Sequence, residues 1–478
     1  MERTPLAGRL LFWGGLLLCE AAAGLAVLVL PSPLYGLLLG LLVPVLMLLW
    51  VKPLLGYMLM VFFLPNYGVE LMKISETADL SLLEPAVFLA FVAWVIHCLK
   101  EGRLRFDFSG VDLTIFAVFV WVTLSILWAP GQFRSIQQLI KIIVVLGVYF
   151  LSIQMINSRR DFSYILAAWL ALSVVVSVVG IYQLFTVGLK AAPQYVFTEH
   201  YEKIHRDVRT TSLFEGSDMA AFLLSLAVVL VITRYATLNP GGWRTLVWFL
   251  ISLFLFVLVT TIARKSYIAT AVAVVYLGYS ARQMRRAVAS VAPVVAVAVA
   301  VILAGPFSEA IMERLGSFLM PAEQAIPNRL PTWLLGLSFF MDSPLIGNGL
   351  GSFYVLATRE GSPLVFPHNF YLFVLVEFGV VGMVLVLLWA YQFFTSFRRY
   401  TGGGADQETY LISRGLVAGA IVIVLHAFFR SFSFTDPTFW GFFGLCRAFL
   451  KVYPPALQGE PCEDAASKAR NVQAQPVW

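Results

Sequence analysis

The chain has 478 residues, of which 60% belong to the hydrophobic set AVILMFWYC and only 13% are charged, with a net charge of +6. A water-soluble globule carries about 25% charged residues, so a string of soluble domains is excluded. With lipid as the solvent, at ~20 apolar residues per crossing, fourteen helices would use ~280 residues. Nucleic-acid binding is excluded too, because the basic residues sit in short loops between apolar runs, where they report topology. Four cysteines, at 19, 98, 446 and 462, lack metal, redox or disulfide-framework spacing.

In chain order, Pro, Gly and charge punctuation sets helices at 9–30, 34–51, 54–67, 81–99, 111–128, 136–156, 162–186, 218–236, 244–262, 266–281, 287–304, 369–395, 411–429 and 434–452. The first run is too long for a cleaved leader and is expected to stay as a helix, and Leu18 before Cys19 argues against a lipoprotein site. The run at 54–67 is short, and 244–262 nearly touches 266–281. The expected fold class is therefore an all-α polytopic integral membrane protein of about 12–14 transmembrane helices. Continuous runs, not ten-residue alternating ones, exclude a β-barrel.

Alternating the loops places sixteen Lys and Arg residues on one side, from Arg3 and Arg9 to Lys451, and five in the short loops of the other: Lys73, Arg134, Arg264, Lys265 and Arg430. The first side, with both termini, is expected to be cytoplasmic. The regions expected are 1–186 and 218–304 as helices, 187–217 as a first long outer loop and 305–368 as a larger one. Helices 369–452 and a cytoplasmic tail 453–478 follow. Within the larger loop, Trp333, Leu334, Leu337, Phe340 and Met341 recur at helical spacing. Pro331 suits a first helical position and Pro344 a stop, which predicts an interfacial helix over 331–341. The tail has a disordered composition, and no internal repeat suggests an inverted-repeat transporter.

Phosphate-loop and HExxH patterns are absent from the sequence, and Asp207, Asp218 and Asp342 stand singly. The outer face offers Arg206, Arg209, Arg264, Lys265 and Arg329, with His200, His205 and His368. Several cations with one or two imidazoles suit a polyanionic lipid headgroup such as a prenyl pyrophosphate, because guanidinium binds phosphate oxygens in pairs. Phe366-Pro-His-Asn-Phe-Tyr371 is the sharpest feature. Pro367 keeps Phe366 extended, Asn369 is a strong N-cap, and His368 falls just before the first turn of an inward-running helix. The positive end of that helix favours a nearby anion and a neutral imidazole, which could act as a general base. The competing reading is an interfacial histidine beside a capping Asn.

Arg264 in a tight outer hairpin runs against the positive-inside bias, with snorkelling to headgroups as its alternative. Arg329 and Arg209 have solvated loop charges as theirs. Glu377 and Glu20 are intramembrane carboxylates, functional by default or hydrogen-bonded in packing. His426 and Arg430 read better as packing, and Phe432–Phe443 as aromatic belt.

The order of motifs resembles the O-antigen ligase and O-antigen polymerase family. Arg209–Gly216 running into Met219-Ala-Ala-Phe222 is similar to its Arg-led small and aromatic patch. Thr261-Ile-Ala-Arg264 resembles its hairpin, with Ala-Arg-Lys where Ser-Arg is usual. Arg329 to Trp333, then Pro344-Leu-Ile-Gly347-Asn-Gly349-Leu-Gly351-Ser-Phe353, resemble its R-x-x-x-W and P-x-x-G-x-G elements. His368-Asn369-Phe-Tyr371-Leu372, with Glu377, Gly379 and Gly382, resembles the last motif, although Pro367 replaces a small residue.

The resemblance covers roughly 205–395 and implies a metal-independent, inverting glycosyltransferase of the bacterial inner membrane without a cofactor. Such a protein takes an undecaprenyl-pyrophosphate-linked glycan as donor and a sugar hydroxyl, on a growing glycan or lipid A–core, as acceptor at the periplasmic face. By the same resemblance His368 is the base, Arg264 and Arg329 hold the pyrophosphate with Arg209 beside them, and Asn369, Glu377 and Lys265 support the site. A chain-length regulator is an expected partner. The polymerase outcome is favoured slightly over the ligase one. Protein O-oligosaccharyl transfer is a third choice of acceptor, and a non-catalytic flippase of lipid-linked sugar comes from another class.

Overall fold

The computed structural model describes residues 52–65, 70–75, 78–101, 106–186, 210, 212–214, 216–237, 243–289, 293, 300, 329–362, 366–400, 405–429 and 434–454. The helices expected at 9–30 and 34–51, most of 287–304, the tail, and Glu20, His200, His205, Arg206, Arg209 and Arg430 lie outside the described residues.

The described chain is a helical bundle. Its helices are α1 (Leu54–Phe63), α2 (Leu83–Glu101), α3 (Gly110–Leu124, extended by a 3-10 turn, Ser125–Trp128), α4 (Gln132–Met155) and α5 (Arg159–Thr186). Then come α6 (Ser217–Thr237), α7 (Trp243–Thr260), α8 (Arg264–Ser280), α9 (Arg329–Asp342) and α10 (Ser352–Arg359). Last are α11 (Phe370–Arg398), α12 (Gln407–Ala427) and α13 (Pro437–Val452). Seven of them are long and apolar enough to cross a membrane among the described residues. The fold is the expected all-α polytopic membrane class, with one addition that the apolar runs did not signal. β1 (Glu70–Ser75) and β2 (Ala78–Ser81) pair as an antiparallel hairpin between α1 and α2. Residues 282–286, expected to be loop, are helical.

α6 and α12 form the centre of the bundle: 78% and 72% of their apolar windows are buried inside the protein, against 39–50% for the other spans. Small residues permit that close packing, with Gly415 of α12 set against Thr233 and Gly419 against Phe442.

The two ends of the bundle differ in charge. At one end Asp112 receives Arg447 Nε at 2.9 Å and the Tyr149 hydroxyl at 2.5 Å, both buried. Ion pairs Lys451–Asp107 (2.7 Å), Arg159–Asp406 (3.3 Å) and Arg234–Glu408 (3.5 Å) stitch the same end. Thr114 beside this cluster bonds Gln392, which lies 22 residues, or roughly 33 Å of helix, from the start of α11. The first turn of α11, with His368 before it, is thus at the opposite end.

The region expected as one loop with one helix holds more structure. α9 begins at Arg329, which puts Pro331 at the third helical position, still within the first turn where no N–H partner is required. It turns Thr332, Gly336 and Phe339 inward and leaves Leu330, Leu334, Leu337 and Met341 outside. Between α9 and α10 the chain dips into the bundle. Gly347, Gly349 and Gly351 all have positive φ, and α11 breaks opposite them at Gly379 (φ 65°, ψ −167°), a backbone state open only to glycine.

The break and the dip satisfy one another. Asn348 and Gly349 donate their N–H groups to the Val376 and Glu377 carbonyls, and Val380 and Val381 donate to Pro344 and Leu345. The Trp128 indole caps Gly347 O, and the Trp121 indole caps Phe378 O, each at 3.0 Å. Irregular backbone at membrane depth survives only when protein groups pair it in this way.

Candidate functional site

His368 sits in the left-handed region at φ 48°, between Pro367 and Asn369. Asn369 is extended and its side chain accepts the Leu372 N–H at 3.1 Å, which fixes the start of α11. Trp333, one turn beyond Arg329 on the same face of α9, donates its indole N–H to Pro367 O at 2.7 Å. α9 can approach this closely because a side chain at Gly336 would press on Leu372 and Phe353. A single clamp therefore brings Arg329, at the first turn of α9, beside the loop that carries His368.

The neighbouring hairpin reaches the same place from the other direction. Ile262, between α7 and α8, has φ 52°, an outlier for a β-branched residue. Thr260 O accepts the Thr210 N–H at 3.3 Å. Ser212, at φ 55°, is gripped by the buried amide of Gln183, which accepts its N–H at 2.7 Å and donates to its carbonyl at 2.9 Å. Among the described residues, Ser212, Ile262 and His368 are the only non-glycine residues with positive φ, and all three lie at this end. Left-handed backbone costs about 1–2 kcal/mol per residue, and such strain concentrates where surrounding contacts impose it, often at functional sites.

Arg264 opens α8, half-buried. Lys265, next to it, forms an ion pair with Asp218 of α6 at 2.7 Å and donates to Phe429 O at 3.2 Å. Its side chain is only 9% exposed, so it is a fixed charge and not a snorkelling one. Phe428, one residue before that carbonyl, packs on Tyr371 with ring centroids 4.6 Å apart. The Tyr371 hydroxyl bonds Val424 O at 3.2 Å. The hairpin, the end of α12 and the first turn of α11 are thus in one contact chain.

Electrostatics agree with that placement. Burial lowers the His368 pKa from the ordinary histidine value, Arg329 and then Lys265 lower it further, and Asp218 opposes them. The imidazole is held neutral among cations, at a helix N-terminus that itself carries about half a positive charge.

The structure thus brings His368, Asn369, Arg329 and Lys265 together, with Arg264 adjoining Lys265. Arg209 lies outside the described residues. Glu377 belongs elsewhere in the architecture. It is 1% exposed, beneath the inserted segment, where its carboxylate accepts the N–H groups of Gly351 (2.9 Å) and Phe353 (3.4 Å). It caps α10 and fastens it to α11. His426 is buried against Phe222, with ring centroids 5.1 Å apart.

Three residues named in the sequence were given no role at the site. Asp218 looked solitary because its partner is 47 positions away. Trp333 counted only as part of an apolar stripe and a motif. Arg134, at the first turn of α4, has its guanidinium carbon 3.3 Å from the centre of the Tyr354 ring, and Tyr354 in turn meets Phe366 of the histidine loop at 6.1 Å. Among the described residues no three of His, Cys, Asp and Glu gather as a metal site would require.

Residues 249–387 match the family model described as O-antigen ligase. The match spans the hairpin, α8, α9, the inserted segment, α10 and the histidine loop, and it bears out the resemblance drawn from the motifs. No curated protein matches the chain.

Proposed function

We propose that this protein is an inverting, metal-independent glycosyltransferase that moves a glycan from undecaprenyl pyrophosphate to a sugar hydroxyl at the periplasmic face of the bacterial inner membrane. The observation that carries the reading is His368 at the N-terminus of α11, in a loop that Trp333 clamps to the helix beginning at Arg329, with burial, Arg329 and Lys265 all lowering its pKa. A neutral imidazole accepts a proton, and the cations oppose its staying protonated, so it suits a base that must reload each cycle. The acceptor hydroxyl attacks the anomeric carbon as His368 takes its proton. The bond from that carbon to the pyrophosphate oxygen breaks on the opposite face. The departing diphosphate gathers charge, and Arg329, Arg264 and the end of α11 neutralise it in place of a metal ion.

The motif resemblance assigns Arg264 and Arg329 to the donor, with Arg209 beside them, while Lys265, paired with Asp218 at 2.7 Å, supports the site. The basic end of the bundle, which carries Arg159, Arg160, Arg234, Arg398 and Lys451, is assigned to the cytoplasm, and the His368 end to the periplasm. Polymerase and ligase outcomes share this chemistry and differ only in the acceptor, a growing glycan or lipid A–core. A chain-length regulator is the partner expected of the polymerase.

The test is transfer in proteoliposomes from a lipid-linked glycan donor, with EDTA present. Glycosylated acceptor and released undecaprenyl pyrophosphate are expected. A strict requirement for divalent metal, or donor translocation without transfer, would overturn the assignment.

A further inference from the structure

A second polar site lies at the other end of the molecule, independent of the histidine loop. A cavity of about 1020 Å³ opens between the ends of α1, α2, α4 and α5, beside Lys451 of α13. Its apolar floor includes Leu54, Leu55 and Met58, and Trp94 stands in its wall.

Much of its polar lining is already committed. Lys451 pairs with Asp107 at 2.7 Å and donates to Ile153 O and Asn157 Oδ1, each at 2.8 Å. Asp161 accepts the Asn157 N–H at 3.3 Å. The rest of the lining includes two cations and a buried donor, with His97, Cys98 and Tyr164 also in the wall. Lys52 and Arg160 line the cavity as exposed residues, and Arg160 donates Nε to the Tyr164 hydroxyl at 2.7 Å, with its guanidinium 5.4 Å from the centre of that ring. Gln154 is 5% exposed, and its Nε2 lines up no acceptor among the described residues. A buried amide donor costs about 1–3 kcal/mol when unmet, so its position in the cavity wall points to a ligand that accepts hydrogen bonds.

Two cations and an idle donor above an apolar floor match an anion with a hydrocarbon tail. The cavity also lies at the basic end of the bundle, where basic recesses between helices meet anionic headgroups. We propose that this cavity binds an anionic membrane phospholipid. Lys52, Arg160 and Gln154 hold its phosphate, and an acyl chain runs along Leu54, Leu55 and Met58.

The experiment uses the full chain in neutral detergent, with phosphatidylglycerol, phosphatidylcholine or inorganic phosphate added. Bound lipid is counted by native mass spectrometry, and the melting temperature is followed in parallel. Phosphatidylglycerol is expected to saturate one tight site and raise the melting temperature, while phosphatidylcholine and inorganic phosphate at equal concentration do not. The double variant Lys52→Ala/Arg160→Ala, at two exposed positions that spare the core, is expected to weaken that site about tenfold or more. Gln154→Leu, which removes the donor and keeps the volume, is expected to weaken it without lowering the melting temperature of the lipid-free protein. Equal effects of the two lipids would overturn the proposal, as would a full response to inorganic phosphate. Unchanged affinity in the double variant would do the same.

Discussion

Glu377→Gln distinguishes a carboxylate that builds the site from one that reacts in it. Each carboxylate oxygen of Glu377 accepts one backbone N–H, from Gly351 at 2.9 Å and from Phe353 at 3.4 Å. Glutamine keeps one acceptor and turns the other position into a donor, so one N–H of the α10 start faces an N–H in a fully buried place. An unmet buried donor costs about 1–3 kcal/mol. The 3.4 Å bond is the weaker of the two and the one expected to be given up. The loss should then fall in the lower part of that range, about 1–2 kcal/mol. Tryptophan fluorescence of the detergent-purified variant should show a melting point lower by a few degrees. Transfer measured well below that temperature should stay within a few-fold of wild type. An unchanged melting point with turnover lost a hundredfold would refute the reasoning and make Glu377 a reacting group.

Four further outcomes follow from the same geometry. Transfer rate against pH should rise along an acid limb centred below the ordinary histidine value of 6.5, because the neutral imidazole is the active form. Asp218→Asn should move that limb lower and Arg329→Gln should move it higher; a limb at or above 6.5, or opposite movements, would count against His368 as the base. Gly379→Ala places a methyl group on the Leu345 carbonyl at a φ of 65°, so the protein should fail to accumulate in membranes; normal levels would mean that the inserted segment is not seated as described. Trp333→Phe removes the bond to Pro367 O and should cost about 1 kcal/mol. Its kcat should fall several-fold with little change in donor KM, whereas an unchanged kcat would show that the clamp does not position His368.

Spans were legible where the apolar run is long and sharply bounded. The run expected at 81–99 is Leu83–Glu101, and that at 218–236 is Ser217–Thr237. The glycines of Pro344–Gly351 carried a readable signal, since glycine at alternate positions marks backbone that no other residue can follow. The partner of that segment was not legible, because α11 is a single unbroken apolar run and its break at Gly379 is created by backbone 32 to 34 positions earlier, at Leu345 and Gly347. α10 went unseen because its eight residues mix aromatic, small and charged types.

At the site, the motifs identified His368 and Arg329, but not what holds them. The Trp333–Pro367 and Lys265–Asp218 contacts join residues 34 and 47 positions apart. Local spacing cannot report such pairs. Local patterning gave Glu377 two readings and did not show the α10 backbone that it caps.

In the proposed reaction the imidazole of residue 368 takes the acceptor proton, while charges around it hold the leaving group. Single-turnover transfer by His368→Ala, measured beside donor binding on the same preparation, tests it most directly. Donor affinity is expected to stay within about threefold of wild type, with the transfer step slowed on the order of a hundredfold to ten-thousandfold. Transfer at a rate close to wild type would contradict it.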